Sequence, residues 1–196
     1  MLFVLSTLAA LPWLSGYEPA AVDDHGARDV QAELAPWQGE ADPACVASTY
    51  GGLRISAGDH TVLASYTQGV VVLGADRGVV ARAPGFTCYG SADQLVALAE
   101  GQGGLDVPVI ALAATSGGRA ENATWIALYR VGDHGDLEPI FTAIVERHIG
   151  RLTHTGSIEM FQGGLRYRSP DGDTSVWLYD RETGKYVPQA VPENVA

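Results

Sequence analysis

Val70–Ala83 reads VVVLGADRGVVARA, two valine-rich runs on either side of a turn of glycine, aspartate and arginine. Branching at Cβ stiffens χ1 and favours extended backbone. Asp and Gly accept turn geometry, and two strands folded back on one another satisfy each other's amides. The stretch therefore predicts a β-hairpin. The same order recurs in WIALYRVGDHGDLEPIF, Trp125–Phe141, and in VWLYDRETGKYVPQ, Val176–Gln189.

Outward from these hairpins, short apolar runs divided by Gly and Asp continue from Cys45 onward, the texture of an antiparallel β-protein. Candidate strands are Leu53–Ser56, Thr61–Thr67, Val70–Gly74, Val79–Ala83, Val109–Ala114, Trp125–Val131, Ile140–Glu146, Ser157–Phe161, Leu165–Arg168, Ser175–Tyr179 and Lys185–Val187. One helix is predicted over Leu95–Glu100. Ser91, three residues before Gln94, supplies a capping box, and Gly101 a stop. A strand over Leu95–Ala99 is the competing reading. A second short helix, around Ala27–Leu34, would be marginal in isolation.

The turn glycines Gly78, Gly135 and Gly184 are 57 and then 49 residues apart, near the spacing of about 40–50 that propeller blades give. The last hairpin, with Leu178-Tyr179-Asp180 and Thr183-Gly184-Lys185, is similar to a generic propeller-blade turn over about a dozen residues. That resemblance implies no activity. Three repeats fall short of the roughly four blades that a closed propeller needs. The expected fold class is mainly β: an antiparallel β-sandwich or an open, propeller-like stack of β-hairpins, with at most one or two short helices. Within the strands, Val176 and Leu178 oppose Trp177 and Tyr179, while Ile126 and Leu128 oppose Trp125 and Tyr129. Apolar groups on both faces point to sheets covered on two sides.

The chain opens on an uncharged apolar run, Leu2–Leu14, followed by Ser15, Gly16 and Tyr17. It is shorter than the stretch of about 20 residues that spans a bilayer, and reads as an export signal over residues 1–17. No Lys or Arg precedes it and no clean Ala-x-Ala site follows; Gly16 and Ala20–Ala21 are the candidate cleavage points, and a buried N-terminal strand or helix is the competing reading. Residues 18–44 read as a flexible acidic tether. Glu18, Asp23, Asp24, Asp29, Glu33, Glu40 and Asp42 stand against Arg28 alone, and Pro19, Pro36 and Pro43 interrupt it. The β-rich domain then spans 45–190, with a C-terminal tail at 191–196.

A length of 196 residues with 46% hydrophobic content suits one packed domain and excludes global disorder. The net charge of −11 leaves no basic face to displace counterions, so nucleic-acid binding is not expected, and an anionic membrane would repel the chain. Basic residues are nearly all Arg, with Lys185 alone, and Ala, Gly and Val are abundant, the texture of a GC-rich bacterial genome. In an exported protein, Cys45 and Cys88 read as a disulfide. Closing that loop would stabilise the fold by about 4 kcal/mol.

Several residues invite a chemical reading. Ala114-Thr115-Ser116-Gly117-Gly118 follows an apolar run as a nucleophile elbow does, yet Ala114 replaces the first glycine and no helical period follows. A hairpin loop is the better reading. Asp24-His25, Asp59-His60 and Asp133-His134 fall in turn or tether contexts, and adjacent residues on a strand point to opposite faces. Neither these nor the carboxylates Asp133, Asp136, Glu138, Asp171 and Asp173 make a metal site by spacing. His148 and His154 flank Gly150, a hairpin or exposed loop. Asn122-Ala123-Thr124 matches a glycosylation pattern that carries no weight in a bacterial chain. No cofactor is expected.

Trp125, Tyr167, Trp177 and Tyr179, interleaved with Arg166 and Arg168, form the candidate binding surface, since aromatic and Arg side chains dominate interfaces and aromatic faces stack on sugars. The competing reading places these rings in the core. The function expected is that of an exported bacterial β-domain, secreted or periplasmic, acting non-enzymatically on a protein or carbohydrate. The alternatives are a structural subunit of an envelope assembly and a small secreted hydrolase using Ser116 or a His/Asp site.

Overall fold

The computed structural model describes residues 11–17, 19–22, 30, 34, 52–57, 59–65, 69–83, 90–98, 105, 109–117, 121–131 and 137–189. Its strands are β1 (Leu14–Ser15), β2 (Pro19–Val22), β3 (Leu53–Ala57), β4 (His60–Ser65), β5 (Gly69–Leu73), β6 (Val79–Ala83), β7 (Gly90–Leu98) and β8 (Val109–Gly117). They continue with β9 (Glu121–Val131), β10 (Leu137–Ile149), β11 (Leu152–Thr155), β12 (Ser157–Phe161), β13 (Gly164–Arg168), β14 (Thr174–Asp180) and β15 (Lys185–Pro188). Three sheets result, ordered β3-β4-β5-β6, β11-β10-β9-β8-β7-β2 and β1-β12-β13-β14-β15. Every pairing is antiparallel except that of β1 with β12. The fold is mainly β and sandwich-like, as the hairpin pattern predicted.

The three repeated hairpins are all present, one in each sheet: β5–β6, β9–β10 and β14–β15. The first shows how local chemistry sets the turn. The Asp76 carboxylate accepts the Gly78 amide at 2.9 Å, and the Gly74 amide donates to the Gly78 carbonyl at 2.9 Å. Arg77 takes a left-handed φ of 62° to close the reversal, a conformation uncommon outside glycine.

The six-stranded sheet is the middle layer. Leu95 and Ala97 of β7, Ile110 and Leu112 of β8, and Ala127 and Tyr129 of β9 face one core, with Leu53, Ile55, Val62, Val70 and Val72 of the four-stranded sheet. Their neighbours Val96 and Leu98, Val109 and Ala111, and Ile126 and Leu128 face a second core, shared with Ile158, Met160 and Leu165 of the five-stranded sheet. Alternation along each strand thus feeds two cores at once. Both faces of the middle layer are covered, as the patterning of Trp125–Val131 required.

This double burial explains the principal departure from the sequence reading. Leu95–Glu100 is no helix over its described residues: Gly90–Leu98 is strand β7, and the Ser91 hydroxyl donates to Asp93 Oδ1 at 2.6 Å. A strand buried on both faces is a continuous apolar run, which periodicity cannot separate from a buried helix. Across Gly150 the hairpin reading holds over the exposed loop, with β11 paired to β10.

The acidic stretch 18–44, read as a tether, is held at its described points. Pro19–Val22 pairs with β7 as the edge of the six-stranded sheet. Val30 and Leu34 are buried against Leu63, Val71 and Leu73 on the outer face of the four-stranded sheet. Burying a side chain of that size stabilises by about 1.5–3 kcal/mol, so Val30 and Leu34 are anchored to that sheet. Residues 11–17 of the expected leader are also packed on the domain, with Leu11 and Leu14 in the second core. Cys45, Cys88, Gly135 and the tail 191–196 lie outside the described residues, as do the Asp24-His25 and Asp133-His134 pairs.

Candidate interaction face and the predicted site residues

The residues expected to form one binding surface are divided among three places. On β13 and β14 the pleat turns Tyr167, Trp177 and Tyr179 inward, where they pack on the second core. Phe141, from β10 of the middle sheet, sits among them edge-on. Its ring centre lies 6.1 Å from Tyr167, 5.3 Å from Trp177 and 6.1 Å from Tyr186. Their polar ends are matched locally. Tyr167 donates to the Ile144 carbonyl at 2.7 Å, and Trp177 Nε1 donates to Ser175 Oγ at 2.8 Å. Desolvation pushes the Tyr167 phenol up from its ordinary value. These rings bind one sheet to the next.

Trp125 lies across the middle sheet, against the first core. Arg166 and Arg168 alternate with Tyr167 and point to solvent, and Arg166 pairs with Glu159 at 2.6 Å. The six residues therefore do not share a patch, because neighbours on a strand face opposite ways.

The outward face of the same sheet carries what the sequence reading missed. Phe161, Gly164, Leu178 and Val187 stand directly opposite one another across β12, β13, β14 and β15. Leu178 is 40% exposed and Val187 37%. A Cβ at residue 164 would lie 2.9 Å from both Leu178 Cδ2 and Phe161 Cζ, so these two side chains close over the glycine. On one side of the row come Glu159, Arg166 and Val176; on the other come Asp180 and Lys185. The face is an apolar strip between charged pairs. The signal was the partition of Val176 and Leu178 from Trp177 and Tyr179, read as two covered faces; among the described residues only the face of Trp177 and Tyr179 packs on another sheet.

Ser116 lies within β8, opposite Gly90 and Ala123, and not on a strand-to-helix turn. Beside it, the Asp93 carboxylate accepts Ser91 Oγ and, at 2.5 Å, Thr115 Oγ1, which also meets Thr124 Oγ1 at 2.8 Å. This hydroxyl ladder spans β7, β8 and β9 at the bulge after Ala92. Asp59, in a turn, and His60, the first residue of β4, are both exposed. His148 and His154 fall on the hairpin β10–β11 but on opposite faces, opposite Thr153 and Arg147 respectively. His148 contacts Thr153 Oγ1 at 3.0 Å and Glu146 Oε1 at 2.5 Å, and Glu146 Oε2 accepts Trp13 Nε1 at 3.3 Å. Thr153, His148 and Glu146 thus form one hydrogen-bonded chain on the β10–β11 hairpin, with Trp13 donating to its carboxylate end. Glu138 is paired with Arg130, and Asp171 with Arg147.

Among the described residues, no three His, Cys, Asp or Glu side chains converge as metal ligands. No helix there is long and apolar enough to cross a membrane. No protein-family model matches the chain, and comparison with curated proteins and with solved structures finds no match.

Proposed function

We propose that the protein is an exported bacterial β-domain acting non-enzymatically through a binding surface, and that this surface is the open face of the five-stranded sheet. The observation that carries the reading is the row Phe161–Gly164–Leu178–Val187, apolar, partly exposed and edged by charge. Protein interfaces have that anatomy, an apolar centre within a polar rim. Aliphatic side chains dominate the row, which favours a polypeptide partner over a carbohydrate that would stack on aromatic faces. The apolar leader and the distant cysteine pair support a secreted or periplasmic location, with a Cys45–Cys88 bridge formed there.

A photo-activated cross-linking residue at position 178 or 187 in the exported protein tests this. It should give a discrete adduct that the same residue at exposed position 142 does not give. Adducts at 142 alone, or at none of the three, would remove the proposal. Acting as a subunit of an envelope assembly is the second reading, favoured by the same row if it is permanently covered. Sedimentation that shifts with concentration, and loses that shift in Leu178→Asp/Val187→Asp, would support it.

A further inference from the structure

Strand β11 forms one edge of the six-stranded middle sheet, and every residue from Leu152 to Thr155 is exposed. Against β10, Ile149 stands opposite Leu152, His148 opposite Thr153, Arg147 opposite His154 and Glu146 opposite Thr155. A turn of two residues, 150–151, makes Ile149 and Leu152 a hydrogen-bonded pair, and bonded and non-bonded pairs alternate from there. The ladder keeps that phase to its end, where the Gly156 amide donates to the Val145 carbonyl at 2.8 Å. The backbone groups of Leu152 and His154 are therefore engaged with β10. Those of Thr153 and Thr155 point away from it, out of the sheet edge.

An open strand edge is a template for another chain, and proteins blunt such edges with charge, proline, bulges or brevity. The other terminal strands carry these devices. β2 opens on Pro19 with an irregular register, and β15 holds Lys185 and Pro188. β3 holds Arg54, β6 holds Arg82, and β1 is two residues long. β11 reads Leu-Thr-His-Thr, without Lys, Arg or proline, and its register is unbroken. It also presents apolar surface: Leu152 is 65% exposed, and its cross-strand neighbour Ile149 is 47% exposed. Along residues 146–155, Arg147 and Arg151 stand against Glu146 alone, so in a chain of net charge −11 this hairpin is not acidic.

We infer that β11 pairs antiparallel with β11 of a second copy of this chain, joining two six-stranded sheets into one. A twofold axis normal to the sheet keeps each face continuous, so facing residues must share a face. With Thr153 opposite Thr153 of the second copy, Leu152 faces His154 of that copy and Arg151 faces Thr155. Each outward Thr153 amide then meets the other Thr153 carbonyl, and no like charges stand opposite one another. The two Leu152 side chains become diagonal neighbours on one face, each backed by Ile149. The edge is thus complementary to itself, as a contact about a twofold axis requires. Four residues make a short contact, so the pairing is reversible on dilution. It is independent of the Leu178–Val187 row, which belongs to another sheet.

The test is sedimentation equilibrium together with amide hydrogen exchange on the full chain, from dilute solution to about 1 mM. A reversible dimer should appear. Exchange at Thr153 and Thr155 should slow by about tenfold or more as concentration rises, with no change at Val187. Thr153→Pro removes an amide that β10 does not use, so this variant should keep its circular-dichroism signal and stay monomeric. Leu178→Asp/Val187→Asp should dimerise as the unmodified chain does, which separates this contact from the open-face reading. An unmodified chain that is monomeric throughout would overturn the pairing. So would a dimer that persists in folded Thr153→Pro, or one that is lost in Leu178→Asp/Val187→Asp. If Thr153→Pro does not fold, the unmodified chain decides: protection of Thr153 and Thr155 that fails to grow with concentration overturns the inference.

Discussion

The guanidinium of Arg130 fills the space in which a side chain on Gly184 would begin. A Cβ at residue 184 would fall 2.5 Å from Arg130 Cζ, and Gly184 holds a left-handed φ of 66°. Arg130 is tied to Glu138 through Nε and Nη2, and its Nη1 lies 3.5 Å from the Tyr179 hydroxyl. The turn of hairpin β14–β15 thus rests on a cation fixed to the middle sheet. Gly184→Ala should destabilise the protein by about 1–3 kcal/mol, from backbone strain plus the clash. Adding Arg130→Ala should recover the clash but not the strain, so a urea-denaturation double-mutant cycle should show a favourable coupling between the two sites.

Phe141 is the common neighbour of three rings from the facing sheet. Truncation to alanine should lower stability by about 3–5 kcal/mol, the range for a buried aromatic. Leu178→Ala, on the open face, should stay within about 0.5 kcal/mol. Chemical denaturation of the two variants side by side separates a packing role from a surface role. Equal losses would mean that the outer row is covered.

Asp180 accepts the Glu182 amide and the Thr183 hydroxyl, both at 2.9 Å, and these bonds hold its carboxyl below the ordinary 3.8. A folded-state pKa lower than the unfolded one gives stability that is present above 3.8 and lost as pH falls through the depressed value. The hairpin β14–β15 should loosen first in acid. Asp180→Asn should flatten that part of the stability curve, read by amide exchange in β15 across the acid range.

Burial raises the Tyr129 phenol from 10.0 to about 12 and pushes Tyr186 in the same direction. The core holds the neutral form, so this stability is complete below pH 10.0 and is lost as pH rises toward about 12. Phenolate absorbance should show these two tyrosines ionising late, together with loss of the β circular-dichroism signal. Early ionisation before any unfolding would contradict their burial.

Much of the architecture is legible in the sequence. The hairpins at Val70–Ala83, Trp125–Phe141 and Val176–Gln189 depend on β-branched runs and Asp/Gly turns, which act over a few residues. The faces of Trp125–Val131 followed from alternation alone. Leu95–Ala99 was ambiguous because burial on both sides erases alternation, and only pairing with β8 decides it. The six residues expected on one surface are separated for a related reason. Trp177 and Arg166 are equally prominent in the sequence, yet the pleat sends one inward to Phe141 and the other outward to Glu159.

By itself the sequence determined that this chain is built of antiparallel hairpins, and which residues of each strand share a face. Those facts come from backbone propensity and the two-residue repeat of a strand, which are local. Only the tertiary structure decided which face meets another sheet, that Leu14–Ser15 and Pro19–Val22 complete two sheet edges, and that Leu178 and Val187 are exposed. Such choices depend on how much apolar surface each sheet can bury against elements distant in sequence, a quantity no single segment contains.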